Sequence, residues 1–577
     1  MSLIESCLTF LNAGNPLGAR RLIEELPDFQ GRGPAISELY AVILAECKEF
    51  DLAYSEFSLL TQKSDATPQA IYNFGKLLVD YIRQSDVSAG GSKTPADYQT
   101  KRIDTLVLAK TLFRRAIDKD PRYKEAWTNL AGVLFELSQY ADALELYKKQ
   151  LKNSPGDNKL LYMTALCYAE QKDHQRAIDI LERLLLCRND DAAAWHAKAV
   201  SEFSLGSLES AYKSLEQALS LNPHNNTYRI TQAILLKSVG RISEAKSILE
   251  SIVGVDPENA RAHWNLSLCL LTLGDYQRGW REYEWRWRLP AFGHVRRFIH
   301  SKQWDGERLL PGDSLFIFSE QGLGDNLQFV RFALKLSETL DCVTLQVPHT
   351  LLRLYSAQEW PLVLVADSDP VPRHIHSVAL MGIPLRLGVV LDEIPYPQGY
   401  LTIKPLSAQP PPTTTRPMRI GIVWQGGRGD KLQLNRSLEL SLLLKFLPAD
   451  CVYVTLQKEI SPEDLDILAR CANAEIRCNE IADFYDTALI CCDLDLVISI
   501  DTSIPHLAAA LGIETWVLLT QYTDFRWLQN TNLSPWYSAV RLYRQQSDGD
   551  WVAPLTKINS DLRDRMNKQK QTRYTKI

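Results

Sequence analysis

The sequence has little that would direct it to a membrane or to nucleic acid. No apolar run approaches the ~18–20 residues that a membrane-crossing helix needs. The segment Met1–Asn12 has no basic residues ahead of its apolar ones and carries Glu5, which is not the pattern of a signal peptide. A net charge of −5 over 577 residues is too small for a general nucleic-acid binder. We therefore expect no transmembrane segment and no nucleic-acid partner.

The eleven cysteines also lack the spacing of a site, since none forms a C-x-x-C pair. Cys471 and Cys478 have no residues of ligand type nearby, and neither have the adjacent Cys491 and Cys492. Free thiols in a reducing cytoplasm account for this pattern best. The sequence therefore predicts a cytoplasmic protein without a cysteine metal site.

In the first half of the chain, a small residue recurs every 34 positions. One interval, from Ala53 to Ala109, carries 22 extra residues, and a companion series runs twelve residues earlier. A small residue on each of two antiparallel helices, where they touch, is typical of tetratricopeptide repeats. We predict an α-solenoid of such repeats over residues 1–290. The first series is Ala19, Ala53, Ala109, Ala143, Ala177, Ala211, Ala245 and Gly279, and the companion is Ala41, Gly75, Ala131, Ala165, Ala199, Ala233 and Ser267.

Two segments of this array depart from the plain repeat. The extra residues include Ser85–Ser92, whose composition predicts either a surface loop or a lengthened helix end. The array closes with an aromatic and arginine-rich segment, Trp280–Arg288, followed by Leu289-Pro290. That segment is too apolar for a free helix surface, so we expect it to dock on the next domain. Residues 291–313 form the predicted linker.

The second half changes from helical to strand-like periodicity. Short continuous apolar runs alternate with helical stretches, which predicts parallel sheets covered on both faces. Gln409–Pro417, rich in proline and threonine, divides the region. We predict two Rossmann-like lobes, residues 314–408 on the acceptor side and 418–577 on the donor side, with a ligand cleft between them. The predicted strands are Ser314–Ser319, Cys342–Val347, Leu362–Val365, Arg419–Trp424, Cys451–Leu456, Leu494–Ile500, Thr515–Leu519 and Val540–Tyr543.

The first candidate site lies between a predicted strand and a predicted helix, at Ser319–Asp325. Gly322 and Gly324 would let the backbone turn tightly and approach a ligand closely. Asp325 would then face the cleft, although a simple helix cap would account for it equally well.

A second candidate is Asp501–His506, where a buried predicted strand runs directly into a helix. The unsatisfied backbone N–H groups of Thr502, Ser503 and Ile504 would form an anion site suited to a pyrophosphate. His506 could add a hydrogen bond to that anion. The alternative is an ordinary capped helix with a satisfied histidine.

Basic residues follow two further strands of the second lobe. Arg436 or Lys431 could neutralise a leaving diphosphate. Lys458, at the end of the next strand, is a candidate of the same kind. For Arg428 and Lys431, a solvated loop is the favoured alternative.

These motifs carry a family resemblance. The pairing of G-L-G-D in the first lobe with D-T-S-x-x-H-L-A-A-A-L-G in the second resembles the heptosyltransferase-like glycosyltransferases of GT-B fold. From about Trp127 to Trp551, including W-x-x-Y-E-W-R-W, the chain resembles bacterial tetratricopeptide-repeat proteins with a C-terminal domain of that family. The resemblance implies an inverting, metal-independent transfer of a hexosyl or heptosyl group from a nucleotide sugar.

The resemblance also implies roles for individual residues. It makes Asp325 the catalytic base, and it makes the Asp501–His506 motif, with Asp501, Thr502, Ser503 and His506, the binding site of the nucleotide diphosphate. Arg436 stands where the family has a lysine. The array would recruit the acceptor, a protein or a carrier-linked glycan.

Two other functions compete with a transferase. A repeat adaptor could keep the fold without transfer, and a nucleotide-sugar sensor could bind without turnover. Retention of both Asp325 and the Asp501–His506 motif favours the enzyme, because a site without function would be free to lose either.

Overall fold

The computed structural model describes residues 2–88, 95–292, 301–310, 312–403, 416–426, 436–547 and 549–574. Most of the proline- and threonine-rich segment Gln409–Pro417 lies outside these residues, and so do Arg428 and Lys431. The chain forms two compact units, Met1–Asn225 and Asn226–Ile577.

In the described residues the first unit is a series of helices in which each packs against the next. Every member of both predicted series of small residues is buried. Gly75 shows the reason, because a Cβ at that position would lie 2.8 Å from the ring of Phe113. The predicted repeat is confirmed. The helices are α1 (Leu3–Asn12), α2 (Pro16–Glu24), α3 (Pro34–Glu46), α4 (Phe50–Gln62), α5 (Pro68–Ser88), α6 (Pro95–Lys119), α7 (Lys124–Glu136), α8 (Tyr140–Asn153), α9 (Asn158–Glu170), α10 (His174–Cys187), α11 (Ala192–Ser204) and α12 (Leu208–Leu221).

The 22 extra residues lengthen two helices. Helix α5 has 21 residues and α6 has 25, whereas α7 has 13 and α8 has 14. Of the two alternatives for Ser85–Ser92, a lengthened helix end is therefore confirmed as far as Ser88. The rest of that segment lies outside the described residues.

The second unit begins with helices of the same period and ends them at the 3-10 segment Glu284–Arg288. The compact division at residue 225 differs from the predicted boundary at 290. The reason is that Trp280 and Tyr283 share a buried core with the sheets rather than with the first unit. The limits 290, 313 and 408 stay predictions. These helices are α13 (Asn226–Ser238), α14 (Ile242–Val255), α15 (Ala260–Thr272) and α16 (Tyr276–Tyr283).

The rest of the second unit has parallel sheets, as predicted. The strands among the described residues are β1 (Lys302–Gln303), β2 (Leu315–Phe318), β3 (Val343–Val347), β4 (Val363–Ala366), β5 (His376–Ala379), β6 (Arg419–Val423), β7 (Val452–Thr455), β8 (Ala474–Glu475), β9 (Leu496–Ile500), β10 (Thr515–Leu519) and β11 (Val540–Arg544). Five form a sheet in the order β1-β5-β2-β3-β4, and six form a sheet in the order β11-β10-β9-β6-β7-β8. Each pairing is parallel. All eight predicted strands are confirmed, while β1, β5 and β8 were missed because they are short or half polar.

The strand order reverses once in each sheet, between β2 and β5 and between β6 and β9. Loops leave the two neighbouring strands in opposite directions at such a point, which opens a crevice at the carboxyl edge. The loop after β2 and the first turn of the helix that follows it hold Ser319–Asp325, and the loop after β9 holds Asp501 and Thr502. The helices are α17 (Leu323–Ser337), α18 (His349–Ser356), α19 (Ile383–Arg386), α20 (Leu440–Phe446), α21 (Pro462–Ala469), α22 (Phe484–Cys491), α23 (Ser503–Ala510) and α24 (Val552–Tyr574), with 3-10 turns at Leu380–Gly382, Leu391–Glu393, Cys478–Glu480 and Phe525–Trp527.

A buried ion pair attaches the end of α16 and its 3-10 segment to the first sheet. The guanidinium of Arg286 donates to both carboxylate oxygens of Glu320, at 3.0 and 2.9 Å. Glu320 also accepts the backbone N–H of Met381 at 3.1 Å, and Arg286 donates to Glu284 at 2.7 Å. Each buried charge thus has an opposite charge and further hydrogen bonds, as burial requires. The predicted docking of Trp280–Arg288 is confirmed.

We expect Arg286→Ala to lower the free energy of unfolding by about 3–5 kcal/mol, because it leaves the Glu320 carboxylate buried without its partner. The control is Arg288→Ala, since Arg288 pairs with Glu258 at the exposed surface and its loss should cost less than about 1 kcal/mol. Urea denaturation followed by tryptophan fluorescence measures both. Equal effects of the two substitutions would contradict a special role for the Arg286–Glu320 pair.

Candidate functional site

The N-terminal ends of α17 and α23 meet between the two sheets. A Cβ at Gly324 would lie 3.3 Å from Cδ2 of His506 and 3.5 Å from Cα of Ser503. Glycine therefore permits the close approach of the two helices. The structure brings together the two segments that the sequence singled out, Ser319–Asp325 and Asp501–His506.

The glycine loop before α17 is held by hydrogen bonds at both ends. Gln321 has a φ of +61°, and its side-chain amide donates to the hydroxyl of Tyr283 at 2.6 Å. Asp325 accepts the backbone N–H of Gly322 at 2.9 Å, which caps the helix. The side chain of Asn326 donates to the carbonyl oxygen of Gly322, also at 2.9 Å. Asp325 is thus a helix-capping residue as well as a member of the site.

The other carboxylate oxygen of Asp325 forms an ion pair with Arg526, which belongs to the loop after β10. Arg526 also pairs with Asp524, and Asp524 accepts the backbone N–H of Arg526 at 3.1 Å. The side chains of Arg526 and Asp325 are only 13% and 17% exposed. The ion pair therefore joins the two sheet-bearing parts of the unit in a setting where water screens it weakly.

A second ion pair lies at the strand-order reversal of the second sheet. Nη1 of Arg436, after β6, is 3.5 Å from Oδ2 of Asp501, after β9. Burial raises the pKa of Asp501, and the positive charge of Arg436 partly offsets that rise. The hydroxyl of Thr502 accepts the backbone N–H of Ile504 at 3.3 Å, so Thr502 caps α23. The prediction that the N–H of Ile504 is unsatisfied is therefore wrong, because the threonine side chain folds back onto it. The first N–H groups of a helix have no partner within it and attract anions.

His506 belongs to the first turn of α23, and its side chain is buried and neutral. Its Nδ1 is 3.2 Å from the hydroxyl of Tyr537, and its ring stacks on Trp527 at 5.2 Å between centroids. Burial, assisted by the charges of Arg526 and Arg331, lowers the pKa of His506 to about 3. The imidazole is therefore uncharged at neutral pH. These contacts match the satisfied histidine of the alternative interpretation, and a bond from His506 to a diphosphate stays a prediction.

Lys458 is directed elsewhere. Its ammonium donates to the carbonyl oxygen of Ala482 at 2.8 Å. Its neighbour Gln457 is buried, and the side-chain oxygen accepts the backbone N–H groups of Trp424 and Gln425 at 3.3 and 3.0 Å. Gln457 thus holds the start of the loop after β6, while a donor-binding role for Lys458 stays a prediction.

Arg526 and Asp524 are the residues that sequence reasoning missed. Their loop is supported by Arg544 at the end of β11, which donates to the carbonyl oxygens of Trp527 and Leu528. Burial lowers the pKa of Arg544 to about 10, and the charge of Asp501 acts in the opposite direction. A signal was present, because Asp524 and Arg526 closely follow a predicted strand. The carboxyl ends of neighbouring parallel strands meet at one edge of a sheet.

His506→Gln should make thermal stability less sensitive to acid. The folded protein keeps His506 neutral down to about pH 3, whereas the unfolded chain takes up the proton near about pH 6.5. Folding must release that proton, so stability is lost as the pH falls from 6.5 towards 3. Glutamine cannot take up a proton, and the Tm of the variant relative to the original chain should rise across this window. The control is His349→Gln at an exposed position, and parallel Tm curves for His506→Gln and the original chain would contradict the buried neutral imidazole.

Comparison with known proteins identifies the helical part. Tetratricopeptide-repeat family profiles match residues 108–158, 134–200, 192–225 and 230–283. The helical array consists of tetratricopeptide repeats. Such arrays provide extended surfaces for binding other proteins. Among the described residues, no helix is both long and apolar enough to cross a membrane.

The curated relatives are distant, at 22–26% identity. The protein FlbA of Caulobacter vibrioides is 25% identical over 497 residues, which cover 80% of this chain and 76% of FlbA. Protein O-mannosyl-transferase TMTC3 of Homo sapiens is 23% identical over 163 residues, which cover 28% of this chain and 14% of TMTC3. Several other curated relatives are covered over about a third of their length or less.

Among solved structures, the C-terminal part of a TPR repeat-containing protein from Cytophaga hutchinsonii matches with a TM-score of 0.34 and 16% identity. The match covers 45% of this chain and 98% of that one.

Proposed function

We propose that this protein is an inverting, metal-independent glycosyltransferase with GT-B-type lobes, which transfers a hexosyl or heptosyl group from a nucleotide sugar. One observation carries the proposal. At the carboxyl edges of two parallel sheets, the carboxylate of Asp325 lies in the same cluster as two arginines and the N-terminus of α23.

The chemistry needs a base on one side and positive charge on the other. Asp325 takes the proton of the acceptor hydroxyl as that oxygen attacks the anomeric carbon. The bond from the anomeric carbon to the diphosphate oxygen breaks, and its electron pair leaves with the nucleoside diphosphate. Arg436 and the N–H groups at Thr502 and Ser503 stabilise the charge that develops there. Attack from the opposite side of the sugar inverts the anomeric centre.

In this proposal, positive charge from side chains and a helix end stabilises the leaving diphosphate, so no metal ion is needed for that task. Arginine binds two phosphate oxygens at once through its planar group, which a lysine at position 436 would do less well. Asp501 lies 3.5 Å from Arg436 and orients that guanidinium. The same aspartate is a ligand for sugar hydroxyls rather than a second base.

The repeat array recruits the acceptor in this proposal. Its last helices share a buried core with the sheets of the second unit, so a protein or glycan bound on that part of the array is held near the reacting groups. The similarity to FlbA supports a common two-part design, because 497 aligned residues exceed the length of either compact unit. TMTC3 is named as an O-mannosyl-transferase, but the similarity covers too little of it to add weight.

A thermal-shift screen tests the donor site. The purified protein is heated with common nucleoside diphosphates and nucleotide sugars, each with magnesium and with a chelator. A ligand of the folded state at 100 times its Kd adds about 2.7 kcal/mol of stability, so one nucleotide family should raise the Tm equally under both conditions. No shift with any of them in a folded sample would favour the adaptor, and binding without turnover would favour the sensor.

Asp325→Ala should lower kcat at least about 100-fold without weakening the binding of the diphosphate, because a general base acts on the transition state alone. Release of nucleoside diphosphate from the donor identified in the screen measures turnover, with water as the acceptor. Asp341→Ala is the control, since Asp341 is an exposed aspartate of the same lobe. Equal turnover by Asp325→Ala and the original chain would exclude Asp325 as the base.

A further inference from the structure

We propose that Arg526 is a ligand of the donor's diphosphate and that the diphosphate competes with Asp325 for it. In the structure Arg526 neutralises Asp325. When a nucleotide sugar binds, the guanidinium turns to the diphosphate and Asp325 is left free to act as base. This inference rests on the proposed function and adds a residue that the family resemblance does not name.

Both carboxylate oxygens of Asp325 already have a partner. One oxygen pairs with Arg526 and the other accepts the N–H of Gly322 at 2.9 Å. The guanidinium of Arg526 occupies a hydrogen-bonding position on the carboxylate that an acceptor hydroxyl would use. The proposed base therefore becomes accessible to the acceptor only when Arg526 moves to another anion.

Arg526 also lies near the helix end where the diphosphate would bind. Gly324, next to Asp325, packs against Ser503 at the start of α23. Trp527, next to Arg526, stacks on His506 from the first turn of the same helix. The guanidinium is therefore close to the helix end whose N–H groups favour an anion.

The charges of the site also favour the exchange. Three aspartates, at positions 325, 501 and 524, are paired with two arginines at positions 436 and 526. While Arg526 pairs with Asp325, its positive charge is directed to that carboxylate rather than to a bound diphosphate. Transfer of Arg526 to the diphosphate places one more positive charge on the leaving group, where the reaction needs it.

Rotation of the Arg526 side chain would suffice for the exchange. Phe525 packs against the rings of Trp280 and Tyr283, at 5.7 and 6.5 Å between centroids. The main chain of the turn is tied by Asp524, whose carbonyl oxygen accepts the N–H of Trp527 at 3.1 Å. The backbone at position 526 is thus anchored to α16, and the exchange moves only the side chain, which gives up its pairs with Asp325 and Asp524.

A double-mutant cycle tests the exchange. The affinity of the nucleoside diphosphate identified in the screen, and that of inorganic pyrophosphate, are measured by titration calorimetry. Asp325→Asn should tighten binding by about three- to tenfold, because asparagine can still accept the N–H of Gly322 but no longer competes for Arg526. Arg526→Gln should weaken binding by at least about tenfold. In the doubly substituted protein the gain from Asp325→Asn should disappear.

The cycle distinguishes a change of partner by Arg526 from a general effect of charge on anion binding. Removing a negative charge tightens anion binding in any case, but that gain would persist in the Arg526→Gln background. Arg353→Gln is the matched control, because Arg353 also pairs with two aspartates, Asp483 and Asp486, at a more exposed position outside the cluster. Its diphosphate affinity should be unchanged.

The outcomes distinguish the two proposals. Unchanged or weaker binding by Asp325→Asn, or a gain that persists without Arg526, overturns the exchange and leaves the transferase standing. Absence of diphosphate binding by the folded original chain overturns both. If Arg526→Gln fails to fold, Arg526→Lys replaces it in the cycle. Lysine keeps the positive charge but lacks the planar guanidinium. Arg526→Lys should weaken diphosphate binding less than about tenfold and reduce the gain in affinity from Asp325→Asn.

Discussion

The close approach of α17 and α23 at Gly324 is the constraint on which the candidate site depends. Two helix N-termini, each with its partial positive charge, are brought together where any side chain larger than hydrogen would meet Ser503 and His506. Negative charge near such ends stabilises them, by about 0.3–1 kcal/mol each. Asp325 supplies it for α17 through its cap on Gly322, and Asp501 lies just before α23. These two aspartates therefore stabilise the helix ends, whatever chemistry they also carry.

The last repeat helices belong structurally to the sheet-bearing part. Trp280 and Tyr283 are buried in the same core as α17 and the loop after β10. Tyr283 holds the glycine loop through Gln321 and also packs on Phe525. One tyrosine therefore supports both segments that contribute to the Asp325–Arg526 pair. This gives the surface of the final repeats a direct physical connection to the site.

Buried charges of this kind need an explanation beyond stability. Replacing a buried ion pair with apolar residues of similar volume is often neutral or stabilising, because desolvation of the two ions costs so much. The Arg286–Glu320 pair fixes one geometry between the repeat end and the first sheet. The side chains of Arg286 and Glu320 are 0% and 1% exposed, whereas those of Arg526 and Asp325 are 13% and 17% exposed. In the proposed exchange, a diphosphate replaces Asp325 as the partner of Arg526. Both pairs join an arginine to a carboxylate, and they differ in their accessibility to a ligand.

Local sequence patterns predict the repeats, the eight main strands and the two motifs. Helix contacts recur every 34 residues and leave a periodic pattern, and a strand buried on both faces is a continuous apolar run, so both signals are local. Contacts between distant segments fix the partner of Asp325, the buried state of His506, the strands β1, β5 and β8, and the compact division at residue 225. Each of these features depends on which segments, far apart in the sequence, come into contact in the fold. Arg526 lies 201 positions from Asp325, and no local pattern in a single sequence records such a pairing, because the energy that selects it comes from packing and desolvation in the assembled fold.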